Sequence, residues 1–364
     1  WVMFIKSIYL NKFRNYDQLK IDFKNGINII VGENGQGKTN LLESIYVLGL
    51  TKSHRSFIDN NLVKEGENKS IIQGLIEKEN ISTKYEIEIG NSKILKIDND
   101  KIKKITDYIS NINIIIFYPD DLEIIKGSPN LRRRYINLEI SQLCSNYMTI
   151  LNDYNKLLKM RNDYLKNNYI DNNYLNIITN YLIEKATQII LMRKKFIDRL
   201  NEIIPKIYED ISELSNFSIK YKCCIKIDEY NEKNIVKKLK NISEEIKNTE
   251  IKYKTTLFGP HKDDIEFYLN NYNLKLYGSQ GQQRMAILSL KLAEIEIFKK
   301  YKNTLPILLL DDVFSELDDK KKNNLLNYIN ENIQTIITTT DINNINNDIV
   351  KKSNIIEIFN GNIK

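Results

Sequence analysis

Eight consecutive residues near the start of the chain have the types and spacing that bind phosphate. They fit G-x-x-x-x-G-K-[ST], and they are Gly32, Glu33, Asn34, Gly35, Gln36, Gly37, Lys38 and Thr39. Glycines let the backbone curl so that successive N–H groups face an anion. In such a loop the lysine reaches the β- and γ-phosphates and the next hydroxyl binds Mg²⁺. The pattern predicts a nucleoside triphosphate site, the alternative being an ordinary glycine-rich turn.

Two adjacent carboxylates near the other end of the chain supply the acidic groups that such a site needs. The apolar residues 306–310 end in Asp311 and Asp312. A carboxylate at a strand end beside a phosphate loop holds Mg²⁺, so Asp311 is the predicted metal ligand with Thr39. Asp312 is the predicted group that orients the attacking water. We therefore expect Asp312 and Lys38 to be the catalytic residues of a nucleotide hydrolase.

A second candidate anion site precedes an amphipathic stretch in the last third of the chain. Ser279 is well placed as the N-cap of that helix, and Gly281 permits close approach of an anion. Gln282 completes the pattern S-x-G-Q. This segment therefore predicts an anion contact at a helix N-terminus.

Several basic residues are candidates for phosphate contacts outside these motifs. Arg14 is placed to reach a bound nucleotide or to lie on the surface. Arg132 and Arg133 are placed to contact phosphate of nucleotide or DNA, or to be a solvated helix start. Lys52 and Arg55 lie in a polar, basic stretch and are further candidates for DNA. The formal net charge of +7 is compatible with nucleic acid without requiring it.

The composition predicts a large protein with a substantial core. The 364 residues, 42% of them hydrophobic, favour two domains or one domain with a large insertion. None of the three cysteines lies in a C-x-x-C pair, which predicts neither a disulfide framework nor a zinc site. No apolar run reaches 18 residues, so we expect no membrane partner. These features favour a cytoplasmic protein, and association with the nucleoid is expected only from the family resemblance given below.

The sequence predicts that α/β structure positions the site residues at both ends of the chain. Residues 28–31 and 40–47 predict a strand and a helix that flank the phosphate loop. Alternation in residues 4–10, 19–23 and 70–97 predicts a mostly antiparallel sheet, and residues 112–118 predict a buried strand. Further strands are predicted at residues 252–258, 265–269, 306–312, 334–341 and 355–359.

The middle of the chain has helical character instead. One a/d seam is Ile136, Ile140, Leu143, Tyr147, Ile150, Tyr154 and Leu157, and a second is Leu182, Ala186, Ile189, Arg193, Phe196, Leu200 and Ile203. Two facing seams joined by a polar link predict an antiparallel helical hairpin. The expected segments are 1–120 and 251–364 for an ATPase lobe, with 121–250 as an inserted helical lobe.

The order of these features resembles ABC-type ATPases of the SMC/Rad50 branch. The narrower resemblance is to the RecF family of bacterial recombination mediators. It rests on residues 11–16, 32–39, 52–55, 117–122, 126–129, 132–134, 259–264 and 279–284. The resemblance implies an ATPase head with a mixed sheet, an antiparallel sheet and an inserted α-helical lobe.

The resemblance also implies how the chain acts. Ser279, Gly281 and Gln282 would bind the γ-phosphate of ATP held by a second subunit. One phosphate loop and one S-x-G-Q per chain likewise require two chains for a complete site. DNA with gaps and single-strand/double-strand junctions, and the RecO and RecR proteins, are the implied partners in repair, replication and the SOS response.

Three departures from the wider ABC pattern affect the expected mechanism. Asp312 replaces the usual glutamate, and its shorter side chain predicts slow hydrolysis. No histidine follows His261, so Thr340 is the expected stand-in for the switch histidine. No clear Q-loop glutamine follows the strand that ends at Tyr118, and Asp120 or Asp121 is the expected replacement.

Two other classes share part of this pattern. A transporter ATPase subunit shares the phosphate loop, the S-x-G-Q pattern and the strand that ends in two acids. The predicted helical hairpin and the net positive charge argue against this class. A small-molecule P-loop kinase would have no need of residues 279–282.

Overall fold

The computed structural model describes residues 2–56, 58–109, 111–329 and 332–364. The chain divides into two compact units. The first contains the chain up to Asp121, Ile207–Glu213 and Met285–Lys364, and the second contains Leu122–Lys206 and Leu214–Arg284. The second unit thus continues to residue 284, beyond the position 250 expected from the sequence.

The strands and helices have the following bounds. The strands are β1 (Met3–Phe13), β2 (Tyr16–Asp22), β3 (Ile27–Val31), β4 (Ser70–Lys78), β5 (Ile81–Ile89), β6 (Ile94–Ile97), β7 (Asp100–Ile102), β8 (Ile114–Phe117), β9 (Phe217–Lys222), β10 (Asp264–Leu269), β11 (Tyr272–Asn273), β12 (Ile307–Asp311), β13 (Thr335–Thr339), β14 (Asn354–Phe359) and β15 (Asn362–Ile363). The α-helices are α1 (Lys38–Leu50), α2 (Thr106–Ile109), α3 (Glu123–Lys126), α4 (Pro129–Leu143), α5 (Ser145–Tyr164), α6 (Asn172–Ser212), α7 (Glu232–Glu245), α8 (Lys247–Tyr253), α9 (Leu274–Tyr277), α10 (Gln280–Lys302), α11 (Asp319–Tyr328) and α12 (Asn347–Lys352).

The first unit contains the predicted antiparallel sheet, in the order β2-β1-β4-β5-β6-β7. Burial alternates along β4, as expected for a sheet with one face on the core. Glu79 and Asn80, which connect β4 to β5, both have positive φ angles, as in a tight two-residue hairpin turn. The sequence prediction for this region is therefore confirmed.

The second sheet of the first unit carries the phosphate loop. Its order is β15-β14-β3-β13-β12-β8, and the five strands from β14 to β8 are mutually parallel. Every residue of β8, β12 and β13 is buried, which is typical of parallel strands covered on both faces. Since parallel strands end at one edge, the loop after β3 and the acids at the end of β12 lie at the same edge.

Helix α1, which follows the phosphate loop, packs closely against strands of both sheets. A Cβ atom at Gly74 of β4 would lie 2.2 Å from the Leu48 side chain, and one at Gly49 would lie 2.5 Å from Ile114 of β8. Most of the helix is buried, and a buried helix needs no polar face. The two glycines thus set the close approach that fixes the loop between the sheets.

The second unit contains the predicted helical hairpin, formed by α5 and α6. Arg161 of α5 donates to Thr179 of α6 at 2.9 Å, and Arg193 of α6 donates to Tyr147 of α5 at 3.2 Å. The end of α5 therefore contacts the first part of α6, and the start of α5 contacts a later part of α6. The two helices are antiparallel. The first predicted seam is not one helix, however, because the backbone of Cys144 is extended and separates α4 from α5.

The sheet of the second unit corrects the sequence prediction. Residues 252–258 form no strand, since α8 runs to Tyr253 and irregular backbone follows. Instead β9, inside the segment predicted to be helical, pairs antiparallel with β10. The order is β11-β10-β9, and Asn270 and Asn271, which connect β10 to β11, both have positive φ angles. The β9–β10 pairing explains why this unit extends past residue 250.

Among the described helices, none combines the length and the apolar character needed to cross a membrane.

Candidate nucleotide-binding site

The phosphate loop has a backbone that only glycine adopts without strain at two positions. The φ angles are +81° at Gly35 and +112° at Gly37. Tyr16, at the start of β2, donates from its hydroxyl to the Gly37 carbonyl oxygen at 2.9 Å. A Cβ at Gly37 would lie 2.6 Å from that hydroxyl, whereas one at Gly35 would meet no atom within 4 Å. The loop is thus braced from one side and open at Gly35, as an anion cradle must be.

The Lys38 side chain folds back over this loop. Its Nζ donates to the carbonyl oxygens of Gly32 at 2.6 Å and Glu33 at 2.8 Å. Burial lowers the Lys38 pKa, and the charges of Asp312 and Asp311 oppose that shift. Within the described part of the chain both of these acceptors are neutral, and an ammonium so held in a partly buried site favours the arrival of an anion. The position of Lys38 fits a phosphate ligand.

One carboxylate oxygen of Asp311 accepts hydrogen bonds from two hydroxyl groups. Its Oδ1 accepts from Thr39 at 3.0 Å and from Thr338 of β13 at 2.7 Å. Burial raises the Asp311 pKa, and the hydrogen bonds from Thr338 and Thr39 oppose this shift. Hydroxyl and carboxylate oxygens are the ligands that Mg²⁺ prefers. The structure therefore brings the two predicted metal ligands, Thr39 and Asp311, into contact.

Asp312 has a strained backbone and a carboxylate oxygen available to a ligand. Its φ is +51°, in the left-handed region that costs energy for a non-glycine residue. Its N–H donates to the Thr338 hydroxyl at 3.0 Å. Within the described part of the chain, Asp312 Oδ1 is buried and has no hydrogen-bond partner. Such an atom needs a donor such as water, which fits the role predicted for Asp312.

Thr338 is a site residue that the sequence prediction missed. It pairs with Asp311 in the parallel register of β12 and β13, so its hydroxyl reaches both acids. The expected stand-in, Thr340, is exposed beyond the end of β13. The three consecutive threonines at residues 338–340 indicated that a hydroxyl group could lie near the acids. Which of the three does so depends on the register between β13 and β12.

Arg14 and Arg55 converge on a carboxylate of α1. Arg14 donates from Nε and Nη2 to the two Glu43 oxygens at 2.9 and 2.7 Å, and Arg55 approaches Glu43 at 3.4 Å. Glu43 is buried; burial would raise its pKa, but hydrogen bonds from Arg14 and Ser53 bring it below its usual value. Both arginines therefore brace the loop helix, whereas Lys52 is exposed.

The two acids after β8 differ in environment. Asp120 is exposed, whereas Asp121 is buried and accepts from the Tyr118 N–H at 3.0 Å. Lys291 of α10 lies 4.0 Å from Asp121. Burial raises the Asp121 pKa to about 7, with the Lys291 charge opposing the shift. Asp121 thus joins the end of β8 to α10, whereas Asp120 is open to solvent.

The predicted second anion site lies at the start of α10, in the second unit. Gln282 N–H donates to the Ser279 hydroxyl at 3.2 Å, and Ser279 N–H donates to the Gln282 side chain at 2.9 Å. This reciprocal pair is a capping box, so the predicted N-cap is confirmed. A Cβ at Gly281 would meet no atom within 4 Å, which leaves the helix start open on that side.

Arg132 and Arg133 are held within the second unit. The buried Arg132 guanidinium forms a two-point ion pair with Asp264, at 2.6 and 2.9 Å, and donates to the Gly127 carbonyl. Arg133 donates to the Asp263 carbonyl at 2.7 Å. Arg132 therefore links α4 to β10 instead of presenting its charge to solvent.

Comparison with known proteins identifies the family. The family described as RecF/RecN/SMC N terminal domain matches residues 4–362. The chain is 40% identical to the DNA replication and repair protein RecF of Bacillus cytotoxicus, over 99% of this chain and 98% of that protein. The chain belongs to the RecF family. The Bacillus thuringiensis RecF protein is likewise 40% identical, over 99% of this chain and 98% of its own length.

Solved structures agree with the RecF assignment. A structure described as the recombination mediator protein RecF with ATP in the RecFOR pathway has a TM-score of 0.93 and 34% identity, covering 100% of this chain and 98% of that chain. An Smc head domain from Pyrococcus furiosus has a TM-score of 0.55 at 16% identity, covering 100% of this chain and 95% of that one, which shows the fold alone. The predicted fold class, an SMC-type ABC ATPase head, is confirmed.

Proposed function

We propose that this RecF-family chain is an ATP-dependent DNA-binding recombination mediator that acts in DNA repair and replication. The contact of Thr39 and Thr338 with Asp311, beside the exposed phosphate loop, carries the ATPase part of this proposal. The names of the relatives support the repair function, and the ATP-bound RecF structure supports ATP as the nucleotide. The transporter alternative has no comparable support.

The nucleotide is held by residues 32–39, with Lys38 on its phosphates. Thr39 and Asp311 would hold Mg²⁺, which would neutralise charge on the β- and γ-phosphates. The Gly32 and Glu33 carbonyls accept from Lys38 and hold it over the loop. Exchange of these neutral acceptors for phosphate oxygens gives Lys38 charge-assisted hydrogen bonds.

Hydrolysis relies on Asp312 as the group that orients water. Thr338 fixes the Asp312 backbone through its N–H, while the Oδ1 atom of Asp312 remains available as an acceptor. The aspartate side chain is one methylene shorter than the usual glutamate, so it holds water less closely to the phosphate. Turnover is therefore slow, and the ATPase works as a switch.

ATP joins two chains into a dimer with two composite sites. Ser279, Gly281 and Gln282 of one chain contact the γ-phosphate bound by the loop of the other. The open approach to Gly281 and the helix N-terminus support this role, since both favour an anion. Dimerisation is then a population shift driven by nucleotide, and hydrolysis releases it.

The dimer binds gapped DNA at single-strand/double-strand junctions and acts with RecO and RecR in gap repair and the SOS response. Lys52 and Arg55 are the exposed candidates for DNA contact, and Arg133 is half-buried. Arg55 and Arg133 are also bonded to protein groups. Arg132 is left out of this surface because it is buried.

The proposal is tested by sedimentation and DNA binding on the same samples. We expect ATP with Mg²⁺ to convert monomer into dimer and to increase the affinity for gapped DNA, and we expect ADP to do neither. Lys38→Ala should abolish both responses. If the protein binds no DNA with or without ATP, the mediator assignment is overturned. If the Ser279→Arg variant still dimerises with ATP as wild type does, only the composite site is overturned.

A further inference from the structure

Three large apolar side chains lie exposed within the six residues that precede Gly278. Tyr272 is 66% exposed, and Leu276 and Tyr277 are each 70% exposed. The rings of Tyr272 and Tyr277 meet edge-on, with centroids 6.0 Å apart. We name these three residues the β11–α9 patch. Contiguous exposed apolar surface is unfavourable in water and marks a surface that another molecule covers.

The patch is fixed to the start of α10. Between its members, Leu274 is buried, and its carbonyl oxygen accepts from the Gln283 side chain at 2.8 Å and from the Gly278 N–H at 3.1 Å. A Cβ at Gly278 would lie only 2.6 Å from the same oxygen. These contacts tie α9 to the first turn of α10.

We propose that the β11–α9 patch docks on a second copy of this chain when ATP brings two copies together. This inference rests on the proposed function, in which Ser279 contacts the nucleotide of the second copy. Tyr277 is two residues from Ser279, so their Cα atoms are at most about 7 Å apart. A surface that contacts Ser279 therefore lies close to the exposed side chains of Tyr277 and Leu276.

The charge around the patch favours this occupant over nucleic acid. Lys275 is the one cation among residues 272–279, and its Nζ donates to the Gly127 carbonyl at 2.9 Å. DNA affinity depends on cations that displace counterions from phosphates, and this patch offers two tyrosines and a leucine instead. Aromatic anchors within an apolar area are what protein interfaces use.

The patch gives the dimer an apolar contact that the nucleotide alone does not supply. Ser279 and Gln282 provide polar groups next to the phosphates, and Leu276 and Tyr277 provide area that leaves water on association. Nucleotide then decides when the two copies meet, while the β11–α9 patch contributes to how tightly they hold.

The test combines a patch variant with a matched control. The variant is Leu276→Ser with Tyr277→Ser, and the control is Tyr169→Ser, which removes a tyrosine that is 82% exposed between α5 and α6. Sedimentation velocity over a concentration series, with Mg²⁺ and ATPγS, gives the dimer Kd. We expect the patch variant to raise that Kd at least tenfold (about 1.4 kcal/mol). Nucleotide binding to its monomer, measured with a fluorescent ATP analogue, should be unchanged, and the control should match wild type.

Ser279→Arg, run in parallel, separates the two proposals. If Ser279→Arg prevents dimerisation while the patch variant dimerises like wild type, the patch inference is overturned and the composite site stands. If the patch variant loses dimerisation while Ser279→Arg keeps it, docking on a second copy is supported and the signature role fails. A patch variant that keeps the dimer but loses DNA binding assigns the patch to DNA and overturns the inference. Hydrogen exchange supplies a direct readout, since ATPγS should protect residues 272–278 in wild type and not in Lys38→Ala.

Discussion

The hydroxyl of Thr338 donates to Asp311 Oδ1 at 2.7 Å, and the same oxygen of Thr338 accepts from the N–H of Asp312. One side chain on β13 thus contacts both Asp311, the last residue of β12, and Asp312, which follows it. The proposed metal ligand and the proposed water-orienting group depend on it together. This relationship gives the first prediction.

Thr338→Val removes the donor to Asp311 and leaves the Asp312 N–H without its acceptor. We expect ATP hydrolysis to fall by about tenfold to 100-fold, because the geometry of both acids is loosened. The measurement is steady-state phosphate release over a Mg²⁺ series, in which a higher Mg²⁺ requirement should accompany the loss. Thr340→Val, at an exposed position, is the control and should retain the wild-type rate. Equal rates for both variants would contradict the assigned role of Thr338.

Asp121→Asn should change the pH dependence of stability. The folded pKa of Asp121 is about 7, raised by burial, above its ordinary unfolded value of about 4. Its folded form therefore keeps a proton that the unfolded chain releases, so its contribution to stability is complete below about pH 4 and is lost as pH rises towards 7. The asparagine variant should lose less stability than wild type between pH 5 and pH 8 in urea titrations.

The exposed neighbour supplies the control for Asp121. Asp120→Asn should keep the wild-type pH dependence, and comparison of the two variants cancels the titration of other groups. His261 is one such group, since burial lowers its pKa to about 4 and its effect runs in the opposite direction. If the two variants give the same curve, Asp121 does not titrate as inferred.

Arg161→Met should destabilise the second unit strongly. Arg161 is buried and pairs with the buried Glu250 at 2.6 Å, which joins α5 to α8. Removal of one partner leaves a buried carboxylate, at a cost of about 3–5 kcal/mol in the free energy of unfolding. The double variant Arg161→Met with Glu250→Gln should recover part of that loss. Lys166→Met, which breaks an exposed pair with Asp163, should cost less than about 1 kcal/mol.

Of the basic residues proposed from the sequence to contact DNA, we expect Lys52 to bind DNA and Arg132 to stabilise the fold. Lys52→Gln should weaken binding to gapped DNA at low salt and reduce the salt slope by about one, because it removes one phosphate contact. Its thermal midpoint should stay at the wild-type value, since Lys52 is exposed. Lys20→Gln is a control for loss of one exposed lysine.

Arg132→Gln should do the reverse of Lys52→Gln. It breaks the two-point pair with Asp264, so the free energy of unfolding should fall by about 2 kcal/mol. The salt slope of DNA binding should stay unchanged. A normal thermal midpoint together with a reduced salt slope would return Arg132 to the DNA surface.

The sequence by itself determined the groups whose chemistry depends on local spacing. Residues 32–39 form a phosphate loop because the glycines permit its positive φ angles, and the capping box of Ser279 and Gln282 needs only a three-residue spacing. The apolar run ending in Asp311 likewise identifies a buried parallel strand. Alternation over residues 70–97 gave the antiparallel strands, since one face of that sheet is buried.

The tertiary structure decided those features that depend on contacts between residues distant in the chain. The contact of Thr338 with Asp311 and Asp312 follows from the register of β13 beside β12, which no local pattern encodes. Strand β9 was missed because its pairing partner, β10, lies more than 40 residues away. The break at Cys144 interrupts a seam whose heptad spacing continues across it, because the backbone of Cys144 is extended and ends α4 before α5 begins. Hydrophobic spacing records which side chains are buried, but the surface that buries them is set by the rest of the fold.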